Sequence, residues 1–347
     1  MAVLSWLGLA FLLFLAGLEI DARRLGGGLL GKAAVGYLMA LALATPFAVA
    51  LAAAGWIDEP VLLVVTLSAT SLGLVVPVLR DAGQNTTALG QGLVVACTVA
   101  DLASIVLLSV LFGAEGDTRS RVALILSFAA VVATAVLAAD RWTRLQRVVA
   151  SLQESTAQIR IRLALVLLVA LTALAGRFGV ETILGAFVAG VVLSIVDPLP
   201  RDHPRSRAGL DAVGFGVLIP IFYVTTGLRL DLAGLLQDPA ALVRVPVLLL
   251  VLLVARGLPA LLYARSAGAR AAVAAGLLQA TSLPFIATAS QVGVELHLMP
   301  PVTAAALVTA GVLSVALFPT LLHRTDHHKA IPDPVSEPPP HPAQQVA

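Results

Sequence analysis

Asp101 is a lone carboxylate in the apolar run from Leu93 to Phe112. At membrane depth such a group costs about 2.5–3.5 kcal/mol at a helix centre on insertion scales. A sequence carries that cost where the group binds a cation or a proton, or pairs with a buried base. Thr98 and Ser104 stand three residues to either side, so a helix would place all three on one face. Hydroxyls beside a carboxylate suit a hard, partly dehydrated monovalent cation. The alternative is that the hydroxyls bond to backbone carbonyls and Asp101 pairs with an arginine. Arg256 is the only strong base inside an apolar run, Val245 to Tyr263. Its guanidinium stays protonated and needs a counter-ion or a wet cavity. Pairing with Asp101, bonding to carbonyls and snorkelling to the surface are all open, and a structural role bracing the site is expected.

Two hydrophobic segments are interrupted. Thr66 to Pro77 holds Thr66, Ser68, Thr70, Ser71, Gly73 and Pro77, and Gly276 to Pro284 holds Gln279, Thr281 and Ser282. Gly and Pro weaken helix, and hydroxyls can satisfy the freed backbone groups. Interrupted spans at corresponding places in two halves point to a transporter site. One precedes the Asp101 segment and the other follows the Arg256 segment. Glu181 falls near a helix start, where the dipole favours an acid. Gly185 and Gly190 further along that segment allow close helix contact.

The elements that must position these residues are membrane helices. The chain has 347 residues, 59% hydrophobic and 12% charged, with mean hydropathy +0.97. Soluble domains carry roughly 25% charged residues. Eleven stretches have the length and apolarity to span: 2–19, 29–54, 60–80, 87–113, 120–140, 161–177, 180–197, 209–228, 240–263, 270–293 and 300–322. Strand-like alternation is absent, which argues against a membrane barrel. The first stretch lacks a basic start and is not followed by a small-residue cleavage site, so it is expected to be a membrane helix.

If the first helix ends in the cytoplasm, sixteen Lys and Arg fall in inside loops and five outside. That bias predicts an outward start and a cytoplasmic C-terminus in the cell (inner) membrane. The net charge is +2, and the arginines form no basic stripe, which argues against nucleic acid. The single Cys97 excludes an internal disulfide and is expected to be a small packing residue. Residues 324–347 are rich in proline and are expected to form a disordered cytoplasmic tail, with no regulatory domain after the membrane part (1–323). His323, His327 and His328 in that region are expected to be solvated rather than to hold a metal.

Phe14 to Leu25 (FLAGLEIDARRL), Leu184 to Gly190 (LGAFVAG) and Pro220 to Asp231 (PIFYVTTGLRLD) together resemble ordered motifs of the monovalent cation:proton antiporter family. That family belongs to the sodium/proton exchanger superfamily, and the likeness is to its Kef-like and bacterial antiporter side. The resemblance implies an all-α polytopic fold of inverted repeats with two crossing broken helices, and a homodimer in membrane lipid. It places Asp101 on the family's ion-binding aspartate, Thr70 and Ser71 on the first crossing helix, and Arg256 at a basic position near the site. Thr281 and Ser282 fall on the second broken helix. Against the family pattern, the chain is expected to lack the first two membrane helices. Ala100 stands where many electrogenic relatives have a second acid and other relatives have Asn or Gln, and Ser282-Leu283-Pro284-Phe285 lacks the acid of a Gly-Glu-Phe type motif.

The expected function is exchange of Na+ or K+ for H+ by alternating access, with no cofactor beyond the transported ions. A channel, a sodium-coupled organic-anion carrier and an inactive truncated fragment are the alternatives. The chain has no HExxH pair, no GxSxG serine and no second buried carboxylate, so enzymatic chemistry is not expected.

Overall fold

A computed structural model of the chain describes residues 2–18, 28–84, 87–112, 118–141, 159–178, 182–196, 204–237, 239–263 and 268–326. Glu181, the FLAGLEIDARRL motif beyond Leu18 and the tail from His327 lie outside the described residues. So do several loop cations used for orientation, including Arg23, Arg24, Arg144, Arg147, Arg201, Arg265 and Lys329.

The described residues are helical, with no strand among them. The first half contains α1 (Ala2–Leu18), α2 (Gly28–Ala53), α3 (Pro60–Ser68), α4 (Leu72–Asp81), α5 (Ala88–Phe112) and α6 (Thr118–Arg141). Then come α7 (Ile159–Arg177), α8 (Thr182–Val196), and α9 (Pro204–Val213), which runs through a π-helical turn (Gly214–Leu218) into α10 (Ile219–Arg229). The remainder comprises α11 (Leu232–Gln237), α12 (Pro239–Gly257) with a 3-10 extension (Leu258–Tyr263), α13 (Ala269–Gln279), α14 (Pro284–Glu295) and α15 (Pro301–Asp326).

The described parts of the eleven apolar stretches are mainly helical, and two of them, 60–80 and 270–293, are each split into two helices. Seven spans among the described residues are long and apolar enough to cross a membrane, counting α3–α4 and α13–α14 as one each. Val3–Leu18, Val122–Thr134 and Thr182–Ile195 are apolar but shorter. At 1.5 Å per residue, the 15 residues of α8 cover roughly 22 Å of a hydrocarbon core about 30 Å thick.

The helices form two groups. In the first, α1 packs against α8 and α10, and α8 against α7. Glycines set that spacing: a Cβ on Gly190 would collide with the carbonyl oxygen of Phe14, and one on Gly17 with that of Phe187. The second group holds α2 to α5 and α12 to α15, with α2 against α3, α5 and α12, and α15 against α12 and α14. α6 contacts both α5 and α8.

The second group contains the same motif twice: a helix, an interrupted helix, a helix. The two copies run in opposite senses. Near the start of α12, the Arg244 guanidinium lies 5.2 Å from the ring of Trp56, just beyond the end of α2. Near the other end, Arg256 and Pro259 meet Lys32, Gly36 and Tyr37 at the start of α2. Likewise the amides of Asp58 and Glu59, ahead of α3, donate to Leu298 O, just beyond α14.

The interruptions have local causes. Glu59 caps α3 by accepting from Val61 N (3.2 Å), and Pro60 supplies a first-turn residue that needs no donor. Thr66 and Ser68 then turn their hydroxyls back on Leu62 O (2.6 Å) and Val65 O (2.9 Å), and the helix stops. Pro77 removes the donor that would serve the carbonyl of Gly73 in the first turn of α4. In the second repeat, Pro284 would clash with the carbonyl of Ala280, so α13 ends at Gln279 and α14 starts afresh at the proline.

Candidate functional site

The two breaks meet in the middle of the second group. Thr70, in the first break, donates its hydroxyl to Gln279 O at 2.7 Å and lies 3.5 Å from Thr281 O in the second. An orphan carbonyl at the C-terminal end of α13 thus finds a partner 209 residues away in the chain. At the N-terminal end of α4, Leu72 N donates to Asp101 Oδ2 at 3.0 Å. A carboxylate placed there satisfies an orphan donor and opposes the positive end of the helix dipole. Ser71 O accepts from Leu74 N and Val75 N and closes the first turn.

Asp101 is 8% exposed and lines a cavity of about 210 Å³ between the two helix groups. Thr70, Ser71 and Asp101 supply its polar edge. Phe187, Phe215, Tyr223 and Phe285 are among its apolar walls. The cavity therefore joins the breaks of both interrupted helices to α1, α8 and the π turn of the other group.

Thr98 and Ser104 do not line this cavity. Thr98 is turned back on its own helix and donates to Val94 O at 2.8 Å. Ser104 is fully buried and bonds to the hydroxyl of Tyr37 on α2 at 2.9 Å. Thr281 donates to Leu278 O at 2.6 Å, while Ser282 N is held by Ser314 Oγ at 3.3 Å. The Ser282 hydroxyl is buried without a hydrogen-bond partner.

Arg256 is 1% exposed and lies behind the crossing, with Nη2 3.5 Å from Gln279 Oε1. It lines a second, much smaller cavity with Lys32, Tyr37 and Gln279. Tyr37 and Cys97 lie close enough to feel the charges of both Arg256 and Asp101. Asp101 meets the start of α4 and Arg256 meets Gln279 at the end of α13, so the crossing has a charged group of each sign beside its helix ends.

Two residues that matter to this geometry carry little signal in the sequence. A tyrosine within an apolar helix is common, and only the fold shows Tyr37 tying Ser68 and Ser104 together. Gln279 stands inside the interrupted motif, but its contact with Arg256 spans two helices. His, Cys, Asp and Glu side chains form no group of three that could hold a metal ion among the described residues.

Two inverted copies of a helix triple, meeting at their interruptions, define a multi-pass, all-helical membrane protein. Residues 1–325 match the family described as sodium/hydrogen exchanger, transmembrane, and the chain belongs to that family. It is 33% identical to Na(+)/H(+) antiporter YjbQ of Bacillus subtilis (strain 168), over 91% of this chain and 53% of YjbQ. It is 28% identical to the glutathione-regulated potassium-efflux system protein KefC of Klebsiella pneumoniae (strain 342), over 68% of this chain and 38% of KefC. Cation/H(+) antiporter 18 of Arabidopsis thaliana is 29% identical over 66% of this chain and 29% of its own length. The chain thus spans about half of YjbQ and less of the other two. All three relatives carry names of transporters, not enzymes.

Proposed function

We propose that this protein exchanges a monovalent cation, Na+ or K+, for protons across the membrane, and that Asp101 is the shared site. The observation that carries this reading is a buried carboxylate at the crossing of two broken helices, open to a cavity between two helix groups. Thr70 and Ser71 line the same edge and offer hydroxyl oxygens to a cation that has shed part of its water. A proton and a cation compete for one carboxylate, so each displaces the other. The group holding α3–α4 and α13–α14 then carries the neutralised site past the group of α1, α8 and α10. The lysine and arginine bias of the loops supports a cytoplasmic C-terminus. The names of YjbQ and KefC support a monovalent cation, and the choice between sodium and potassium is left to a selectivity series.

The test is cation-driven proton flux in proteoliposomes. Asp101→Asn keeps the size and the hydrogen-bonding oxygen but loses the charge and the titrating proton. The variant is expected to insert normally and to lose exchange entirely, while flux at the parent rate would refute the assignment. Competition also fixes a pH dependence. As pH falls through the range where Asp101 takes up its proton, the apparent KM for the cation should rise, by up to about tenfold per pH unit.

A further inference from the structure

The small cavity behind the crossing is not explained by cation binding at Asp101. It has a volume of about 10 Å³, roughly what one water requires. Its lining includes Lys32, Tyr37, Arg256 and Gln279, with Ala and Gly residues and no carboxylate. The Gln279 side chain is 3% exposed, and its amide Nε2 is buried with no hydrogen-bond partner. A buried amide donor of that kind carries a desolvation cost of about 1–3 kcal/mol unless something accepts from it. A water is the smallest acceptor that fits.

The same cavity touches a chain of hydroxyls. Tyr37 lines it, and the Tyr37 hydroxyl lies 2.9 Å from Ser104 Oγ and accepts from Ser68 Oγ at 3.3 Å. Ser104 stands one turn beyond Asp101 on the same face of α5. Either oxygen of the Tyr37–Ser104 pair can be the donor, which is what a relay in both directions requires. The charged groups around Tyr37 are Asp101 on α5, Arg256 on α12 and Lys32 on its own helix.

We propose that one water bound by Gln279 in this cavity, with Tyr37 and Ser104, forms a proton branch separate from the wide cation cavity. A proton leaving the Asp101 carboxyl binds Ser104 Oγ as that hydroxyl passes its own proton to Tyr37 Oη. Tyr37 in turn releases its proton to the water, and the water passes one to solvent on the Lys32 face. No other bond changes, and the reverse sequence reloads Asp101. Cations are excluded from this branch by its size, which is that of about one water. Tyr37 and Ser104 are relay residues and bind no cation.

The proposal rests on Asp101 being the exchange site, so the test keeps the two readings apart. Wild type, Tyr37→Phe and Ser104→Ala are reconstituted side by side. Exchange rate, solvent deuterium isotope effect and equilibrium binding of a radiolabelled cation are measured for each. Both variants should exchange at least about tenfold more slowly, with a larger isotope effect and cation affinity within about twofold of wild type. If wild type exchanges and both variants match it in rate and isotope effect, the relay is wrong and the exchange reading stands. If wild type itself shows no exchange, that reading falls and takes the relay with it. Should Tyr37→Phe fail to fold, Ser104→Ala and a high-resolution structure of the wild type decide. Water density within hydrogen-bond reach of Gln279 Nε2 supports the branch, and its absence overturns it.

Discussion

At the scale of single residues, Thr70 joins the two halves of the site. Its hydroxyl reaches Gln279 O, a carbonyl that the end of α13 leaves without a helical donor. Thr70→Val keeps the shape, removes the donor and buries an unsatisfied carbonyl, at a cost of about 1–3 kcal/mol. Thr70→Ser keeps the donor. Thermal melts in detergent are therefore expected to show a clear drop for Thr70→Val and a much smaller one for Thr70→Ser. Equal melting temperatures for the two would remove Thr70 from this role. Asp101, Thr70, Ser71 and Arg256 were legible in the sequence for one physical reason: each is a polar group where hydrocarbon is expected, and such groups need partners. Thr98 and Ser104 show the limit of that logic. Spacing placed them correctly on one face with Asp101, but it could not say where a hydroxyl points. Thr98 serves Val94 O on its own helix, and Ser104 serves Tyr37 on another.

At the scale of helices, both interruptions were legible, because prolines and clustered hydroxyls act on the backbone within a turn. The grouping of the helices was less so, since nearly all of them are apolar on every side. Glycine gave the usable signal. Gly185 and Gly190 marked α8 as a close-packing helix, and both are in contact: Gly190 against Phe14 of α1, Gly185 against Leu171 and Ala175 of α7. The identity of those partners was not readable, because a bare backbone on one helix does not name the helix that approaches it. Gly190→Ala places a methyl against a backbone oxygen, which cannot rotate away as a side chain would. Overpacking of this kind costs about 1–3 kcal/mol. A methyl added at Gly31 on α2 would meet nothing within 4 Å, so Gly31→Ala should gain about 0.5–1 kcal/mol from helix propensity alone. Melting temperatures that move in opposite directions for the two substitutions would confirm that α1 and α8 are held by backbone contact. A shared direction would count against it.

At the scale of the whole molecule, the exchange mechanism proposed above requires the two helix groups to separate and re-form along their seam. That seam carries a polar contact: Gln291 Nε2 on α14 donates to Thr226 Oγ1 on α10 at 3.0 Å. Gln291 lies in the second half of α14 and Thr226 in the last part of α10. The Asp101 cavity lies along the same seam, lined by Pro284 and Phe285 from the start of α14, by Phe215 from the π turn before α10 and by Ile219 and Tyr223 of α10, so it ends within a turn of Thr226. The hydrogen bond therefore holds the seam just beyond the cavity, towards the C-terminal ends of these two helices. Removing it with Gln291→Leu takes about 1 kcal/mol from this arrangement, which shifts a two-state balance by roughly fivefold. Leu12 lines the cavity, so a cysteine introduced by Leu12→Cys reports its accessibility. In a Cys97→Ser background, its labelling by an aqueous thiol reagent is expected to slow, by up to about that factor, when Gln291→Leu is added. Thr226→Val should have the same effect, and the two together should do no more than either alone, because they remove one bond. Unchanged labelling in both would mean that the contact does not hold the seam. Additive effects would mean that each residue acts through a different neighbour.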